Sequence, residues 1–317
     1  MIRVDVAGIG TPFFDYNIVI DEMPMPDSKQ SIRSFSQQGG NKVPTALVAV
    51  ARLGGSAGLI GQVGDDHHGR FCLEDLAYNG VDASRMRTVA GGATPYCVCL
   101  SDLKTRGRAF LVHRKPFEPL ALDEEDRRYI RSARYLHLSS ADDVPWQAIE
   151  WAREAGVRVA YDADGYRDTL PALILKLDVL IMSEFVYAKL FDDEQYERNC
   201  FALAKKGPSI VFVTLGARGS AGVMDGQFVQ QPAFTNVDVV DTTGAGDVYH
   251  GAFLYGLLQG WDGARIARFS SAVSAIKCTR VGGRAGIPTR AMVDEFLERG
   301  TFDPTQIDER VRHYRQS

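Results

Sequence analysis

Apolar and polar positions alternate along the chain in two distinct registers. Short, nearly continuous apolar runs at Val4–Ile9, Tyr135–Leu138, Val157–Tyr161, Val179–Ser183 and Ile210–Leu215 read as strands buried on both faces. Between them lie stretches with helical spacing at Val43–Leu53, Arg70–Tyr78, Trp146–Ala155, Gln195–Lys205 and Ala264–Arg280. Strand and helix in alternation predict an α/β chain whose mostly parallel sheet is covered by helices. Two regions break this rhythm. Ser31–Gln37, and Thr94–Leu100 with Arg108–His113, alternate apolar and polar residues singly, which predicts half-exposed antiparallel strands in a separate small sheet. The last stretch, Thr301 to Ser317, has only Ile307, Val311 and Tyr314 to bury and reads as a peripheral helix or a partly ordered tail. The chain shows no internal repeat and no low-complexity linker.

With 317 residues, 45% of them hydrophobic and 24% charged, the chain can bury a large core, and we read it as one domain over residues 1–317. A net charge of −4 leaves no electrostatic footprint for nucleic acid, and no apolar stretch approaches the length of a bilayer span. Met1-Ile2-Arg3-Val4-Asp5 lacks the pattern of a secretion signal, so a cytoplasmic location is expected. The cysteines Cys72, Cys97, Cys99, Cys200 and Cys278 are odd in number and scattered, which argues against a disulfide framework. Cys97 and Cys99 share one strand face, but no second cluster supplies the other ligands of a structural zinc site. Among the histidines, His67 and His68 sit in a polar turn and His137 in a buried-looking strand. His250, three residues after Asp247, shares its helix face, with packing the plainer role.

The most informative segment comes late. An apolar run, Val237 to Val240, leads into Asp241-Thr242-Thr243-Gly244-Ala245-Gly246-Asp247 and then a helix-like stretch, Val248 to Gly260. Small residues at a helix start let unpaired backbone N–H groups converge on one anion, with the positive end of the helix dipole behind them. Asp247 in the first helical turn is positioned to take a proton from an attacking hydroxyl. A lone glycine pair would mean no more than a tight turn; seven specified residues ask for more. No G-x-x-x-x-G-K-[ST] occurs, which excludes a P-loop, and Gly8-Ile9-Gly10 continues to Phe13 where a dinucleotide fingerprint needs Gly or Ala.

The string Asp241–Asp247 resembles the signature of the ribokinase-like, or PfkB, carbohydrate kinases. That resemblance implies an anion hole from Gly244, Ala245 and Gly246 and a catalytic base at Asp247. Other segments follow in the family's order. Asp15 matches a carboxylate that grips sugar hydroxyls; Gly39-Gly40-Asn41 matches the early glycine pair beside the sugar. Gly61-Gln62-Val63-Gly64-Asp65-Asp66 with Gly69 matches a G-x-V-G-D-D-x-x-G turn, and Thr214, Gly216 and Gly219 match a nucleotide-side loop between strands. Gln231 to Phe234, Val237 to Ala252 and Lys277 to Pro288 look like the bacterial sulfofructose kinase branch. Departures also stand out: Pro44 replaces an Asn, Ser183-Glu184-Phe185-Val186 loses both named residues of an N-x-x-E motif tied to magnesium, and Asp164 replaces an Asn.

The resemblance implies a ribokinase-like three-layer α/β/α sandwich with a small β-sheet lid drawn from about residues 12–38 and 93–114. It also implies ATP with Mg2+, a monovalent cation such as K+ near Asp241 and Thr242, and a homodimer formed through the lid. The expected activity is ATP-dependent transfer of the γ-phosphoryl group to a hydroxyl of a small sugar, a ketose or sulfofructose among the candidates. A nucleoside kinase is the alternative, if Phe13 or Tyr96 with Phe110 or Phe117 stacks a base; a sugar sensor without turnover is a third reading, against which the intact Asp247 argues. Arg106, Arg108, Arg114 and Lys115 are candidate readers of a sulfonate or phosphate, or plain surface charges.

Overall fold

The computed structural model describes all residues except Met1, Ile2, Arg106, Pro116, Phe117, Ala141 and Ser317. Arg106 and Phe117, two of the lid candidates, therefore lie outside the described residues.

The five apolar runs enter one nine-stranded sheet, which four further strands complete. Its central strand, β1 (Val6–Ile9), is flanked on one side by β4 (Ala57–Gly64) and β5 (Val81–Val89). On the other side follow β8 (Tyr135–Ser139), β9 (Arg158–Ala163), β10 (Val179–Ser183) and β11 (Ile210–Thr214), all parallel. An antiparallel hairpin, β12 (Ser220–Met224) and β13 (Gln227–Gln231), closes that edge. The strand period of two sorts side chains between the faces. In β10 and β11, Val179, Ile181, Ile210 and Phe212 enter one core while Leu180, Met182, Val211 and Val213 enter the other. Helices α1 (Lys42–Arg52), α8 (Ala245–Leu258), α9 (Gly263–Lys277) and α10 (Arg290–Arg299) cover the first core; α3 (Glu124–Ser132), α4 (Trp146–Glu154) and α7 (Tyr196–Ala204) cover the second. Three layers result.

The small sheet runs in the order β3 (Ile32–Gly40), β2 (Phe13–Ile20), β6 (Tyr96–Asp102), β7 (Arg108–His113). It differs from expectation in one pairing. β2 and β6 are parallel, because the chain between them passes through the large sheet before returning in the same direction. Asp15 sits within β2, inside the range expected for the lid. The glycine-rich stretch Gly216–Gly222, expected as a loop between strands, is only partly one: after a short turn at Gly216–Arg218 it enters β12.

The G-x-V-G-D-D-x-x-G segment ends β4 and starts α2 (His67–Tyr78). Asp66 accepts from the Gly69 amide at 2.8 Å as the helix cap, and from the Thr94 amide and hydroxyl at 2.9 and 2.7 Å, tying that cap to the run into β6. The chain's last segment is an ordered helix, α11 (Thr305–Gln316), which buries Ile307 and Tyr314 while Val311 is half-buried. Tyr314 donates to Asp75 at 2.6 Å and ties the helix to α2. Among the described residues, no helix is long and apolar enough to cross a membrane.

Candidate active site

A cleft of about 420 Å3 opens beyond the carboxyl ends of β9, β10 and β11, where Asp162 and Asp164, Ser183, and Thr214 project into it. Strand order places such crevices at the carboxyl edge of open parallel sheets. The small sheet forms the facing wall with Phe13, Asp15, Cys97, Cys99, Arg108 and Phe110, and the Thr242–Asp247 turn forms the floor.

That turn is held from three sides. Asp241 accepts from the Thr243 amide and hydroxyl at 2.9 and 2.7 Å with one carboxylate oxygen and from the Gly282 amide at 2.8 Å with the other. The fully buried Lys277 donates its ammonium to the Asp241 carbonyl at 3.0 Å. Gly244 takes a left-handed conformation, φ 74°, and caps α8, a role suited to glycine. The first-turn amides of α8 then lack intrahelical partners. Gly246 faces open space, with nothing within 4 Å of where a Cβ would stand. One predicted donor is different: the Ala245 amide already donates to the Thr242 carbonyl at 3.2 Å, so the turn itself uses it.

Asp247 stands at the start of α8, half-buried on the cleft floor. Burial pushes its carboxyl up to about 7, the nearby Asp162 adds to the rise, and Lys42 opposes it. Asp162, buried at the end of β9, is pushed up to about 7 by burial, against the pull of Lys42. Burial works against the charge on Lys42, but Asp162, Asp164 and Asp247 outweigh it and hold its pKa above the ordinary lysine value. Its ammonium lies 3.0 Å from Asp164 and 3.3 Å from the Ser140 hydroxyl. Behind this group His250 approaches Asp162 at 3.3 Å, and burial drives its imidazole down to about 3, so it is neutral. His250 lines the cleft but buttresses Asp162.

Across the cleft Asp15 is buried, and burial raises its carboxyl to about 7; Arg284 pulls the other way and Asp247 adds repulsion. A Cβ on Gly40 would stand 2.1 Å from an Asp15 carboxylate oxygen, so only glycine lets β3 pass so close to it. Arg284, fully buried, donates to the Gly40 carbonyl at 3.0 Å and pairs with Asp75, fixing the glycine strand from behind. Asn41 lines the cleft, yet its side chain is spent on structure: it donates to the Thr11 carbonyl at 2.6 Å and accepts from the Lys42 amide at 2.9 Å, capping α1.

On the third wall Thr214 and Ser183 are register partners at adjacent strand ends. Gly216 and Gly219 occupy the turn just beyond and do not line the cleft. Glu184 is held by Arg218, which also reaches Glu194 at 3.2 Å. Nothing in the local sequence singles out Lys42, Lys277, Arg284 or the carboxylate of Asp162 as neighbours of the catalytic turn, because their contacts run between segments up to 244 residues apart; only Lys42 carries a local signal, a lysine at a helix start beside glycines.

The profile of the pfkB family carbohydrate kinases matches residues 11–290 of this chain. An ATP-dependent ribose-1-phosphate kinase of Halopiger xanaduensis is 35% identical over 300 residues, covering 93% of this chain and 98% of that protein. A 5-dehydro-2-deoxygluconokinase of Shouchella clausii is 27% identical over 318 residues, covering 93% and 96%. In fold, the chain superimposes on Arabidopsis thaliana ribokinase, solved with ribose and ATP, with a TM-score of 0.82 at 23% identity, covering 94% and 99%.

Proposed function

The chain belongs to the pfkB family of carbohydrate kinases, phosphotransferases with an alcohol acceptor, and from that premise we propose that its acceptor is a small sugar bearing an anionic group. A sugar phosphate and sulfofructose are the leading forms. The observation that carries this reading is an unpaired guanidinium in the cleft wall. Lys42 is matched by Asp164, whereas Arg108, on the small sheet, lines the cleft without an ion pair to any carboxylate among the described residues. A guanidinium there offers planar, paired donors to a phosphate or sulfonate. The ribose-1-phosphate kinase relative acts on a sugar phosphate by its name, which agrees.

In this reading Asp15 accepts from acceptor hydroxyls, Gly40 leaves room for its carboxylate, and Gly39 leaves room for the Arg284–Asp75 pair that backs the strand. Asp247 removes the proton from the attacking hydroxyl, while the Gly246 amide and the rest of the open first turn of α8 donate to the phosphoryl oxygens as charge builds on them. Lys42 stands beside Asp247 as a fixed positive charge for the same oxygens. Thr214 and Ser183 wall the nucleotide side, and Gly216 and Gly219 shape the turn behind them. Asp164, more than half exposed, offers the hard oxygen that suits Mg2+, whereas Glu184 is committed to Arg218. Magnesium would neutralise charge on the ATP phosphates.

A monovalent cation near Asp241 and Thr242 does not fit. The Asp241 carboxylate already accepts from the Thr243 amide and hydroxyl and from the Gly282 amide, and the Lys277 ammonium supplies a positive charge at the Asp241 carbonyl. The internal ammonium takes the ion's place in this reading. A nucleoside acceptor is less favoured, because Arg114 covers the Phe13 ring at 4.8 Å, where a base would stack.

An ATP-consumption panel tests the proposal against ribose 1-phosphate, sulfofructose, neutral ketoses and hexoses, sugar acids and nucleosides. Turnover on an anionic sugar should show a KM about tenfold to a hundredfold higher in Arg108→Ala, the loss of one charge-assisted contact. Activity confined to nucleosides, or an unchanged KM in that variant, would overturn it.

A further inference from the structure

We propose that Cys97, Cys99 and Asp15 form a binding site for one thiophilic divalent cation of the zinc class, set in the wall of the same cleft. The sequence alone gave two cysteines on one strand face and no further ligands. Folding adds the third. Strand β6 pairs in parallel with β2 so that Cys97 stands opposite Asp15 and Cys99 opposite Asn17. Strand alternation then turns the two thiols and the carboxylate to one side. The three side chains are buried, and one donor atom from each lies within 4.8 Å of the others. The Cys99 thiol donates to the Cys97 sulfur at 3.5 Å.

These separations suit a tetrahedral ion. Zinc lies about 2.3 Å from sulfur and about 2.0–2.2 Å from a carboxylate oxygen, which sets its donors roughly 3.5–4 Å apart. The ion would take up the space between the thiols and the carboxylate with small side-chain rotations and no change of strand register. Two sulfur donors select against magnesium, which prefers oxygen, and for Zn2+ or Cd2+. Binding displaces the thiol protons to solvent and leaves thiolates neutralised by the ion. All three residues line the cleft, so an entry path exists and the fourth coordination position faces it. Where Asp15 also holds the acceptor sugar, as the functional reading has it, ion and sugar compete and the site is inhibitory.

The test is optical and needs no turnover, so its failure leaves the kinase reading standing and the reverse. Cd2+ alone, titrated into the reduced, metal-free protein, should give an ultraviolet thiolate-to-metal charge-transfer band that saturates at one ion per chain. Zn2+ should displace it. Cys97→Ser and Cys99→Ser should each weaken the band and the affinity, and Cys200→Ser, in the core on the far side of the sheet, should leave both unchanged. Asp15→Asn should keep the band while weakening affinity at least about tenfold, since even loss of an outer-shell partner costs that much. Saturation well below one ion, a full band in the Cys97→Ser variant, or unchanged affinity in Asp15→Asn would overturn the site. If the cysteine variants fail to fold, the wild-type titration and Asp15→Asn decide alone.

Discussion

Asp247 owes its basicity to its surroundings. A carboxylate in water is a poor base near neutral pH, but burial and the adjoining Asp162 bring this one up to about 7, close to the value at which a general base works best. Because the deprotonated form is the active one, kcat/KM should climb with pH below about 7 and level off above it. A profile flat through that range would contradict the assignment. Asp247→Asn should lower kcat roughly a hundredfold to ten-thousandfold with nucleotide affinity largely retained, measured by single-turnover kinetics and ATP titration. Lys277 makes a different demand. A buried ammonium is costly unless it is paired, and here it is anchored to the loop that shapes the phosphoryl cradle. Wild-type turnover should therefore be the same in sodium and in potassium buffers. Lys277→Met should lose about tenfold or more in turnover and regain part of it with added K+ or NH4+. Strong potassium activation of the wild-type protein would refute the internal-cation role.

At the scale of elements, the site depends on how closely α8 can approach α1. Their contact is made at Gly251, where a Cβ would stand 2.2 Å from the Ala46 carbonyl oxygen and 2.7 Å from the Ala49 methyl. The backbone oxygen cannot move aside without shifting α1, which carries Lys42 and Asn41 at its start. Gly251→Ala should cost about 1–3 kcal/mol, seen as a lower Tm, and should also reduce turnover by displacing Asp247 relative to Lys42. An unchanged Tm would mean that the helices separate freely. The Arg284–Asp75 pair locks the β3 glycines to α2 and, through Tyr314, to α11. A helix at the far end of the sequence thus helps hold the wall beside Asp15.

For the whole molecule, the small sheet leaves apolar surface uncovered. Ile32, Phe35 and Leu111 are 58%, 39% and 61% exposed. Such a patch suits a second copy of the chain. We propose a homodimer through this sheet, with sedimentation equilibrium at micromolar concentration giving twice the 34.9 kDa chain mass. Leu111→Glu should shift the protein toward monomer, and a monomeric wild type would remove the proposal.

The alternation of apolar runs and helical spacings was enough to place the five parallel strands β1, β8, β9, β10 and β11 and several of the helices that cover them, because buried strands such as Val179–Ser183 carry their environment in their composition. Strands β4 and β12 escaped that reading because their glycines mimic turns, and β5 because its polar residues mask the period. Local chemistry was also legible: the Asp241–Asp247 string implied a helix start with open amides and a carboxylate beside it, since both properties are set within seven residues. Tertiary structure alone decided which charges meet. Lys42 among three carboxylates, Arg284 behind the glycines, Lys277 beneath the cradle and two thiols facing Asp15 are contacts between distant segments. Sequence spacing carries no distance information across a fold, and burial, which sets the proton affinities of these groups, exists only once the layers have packed.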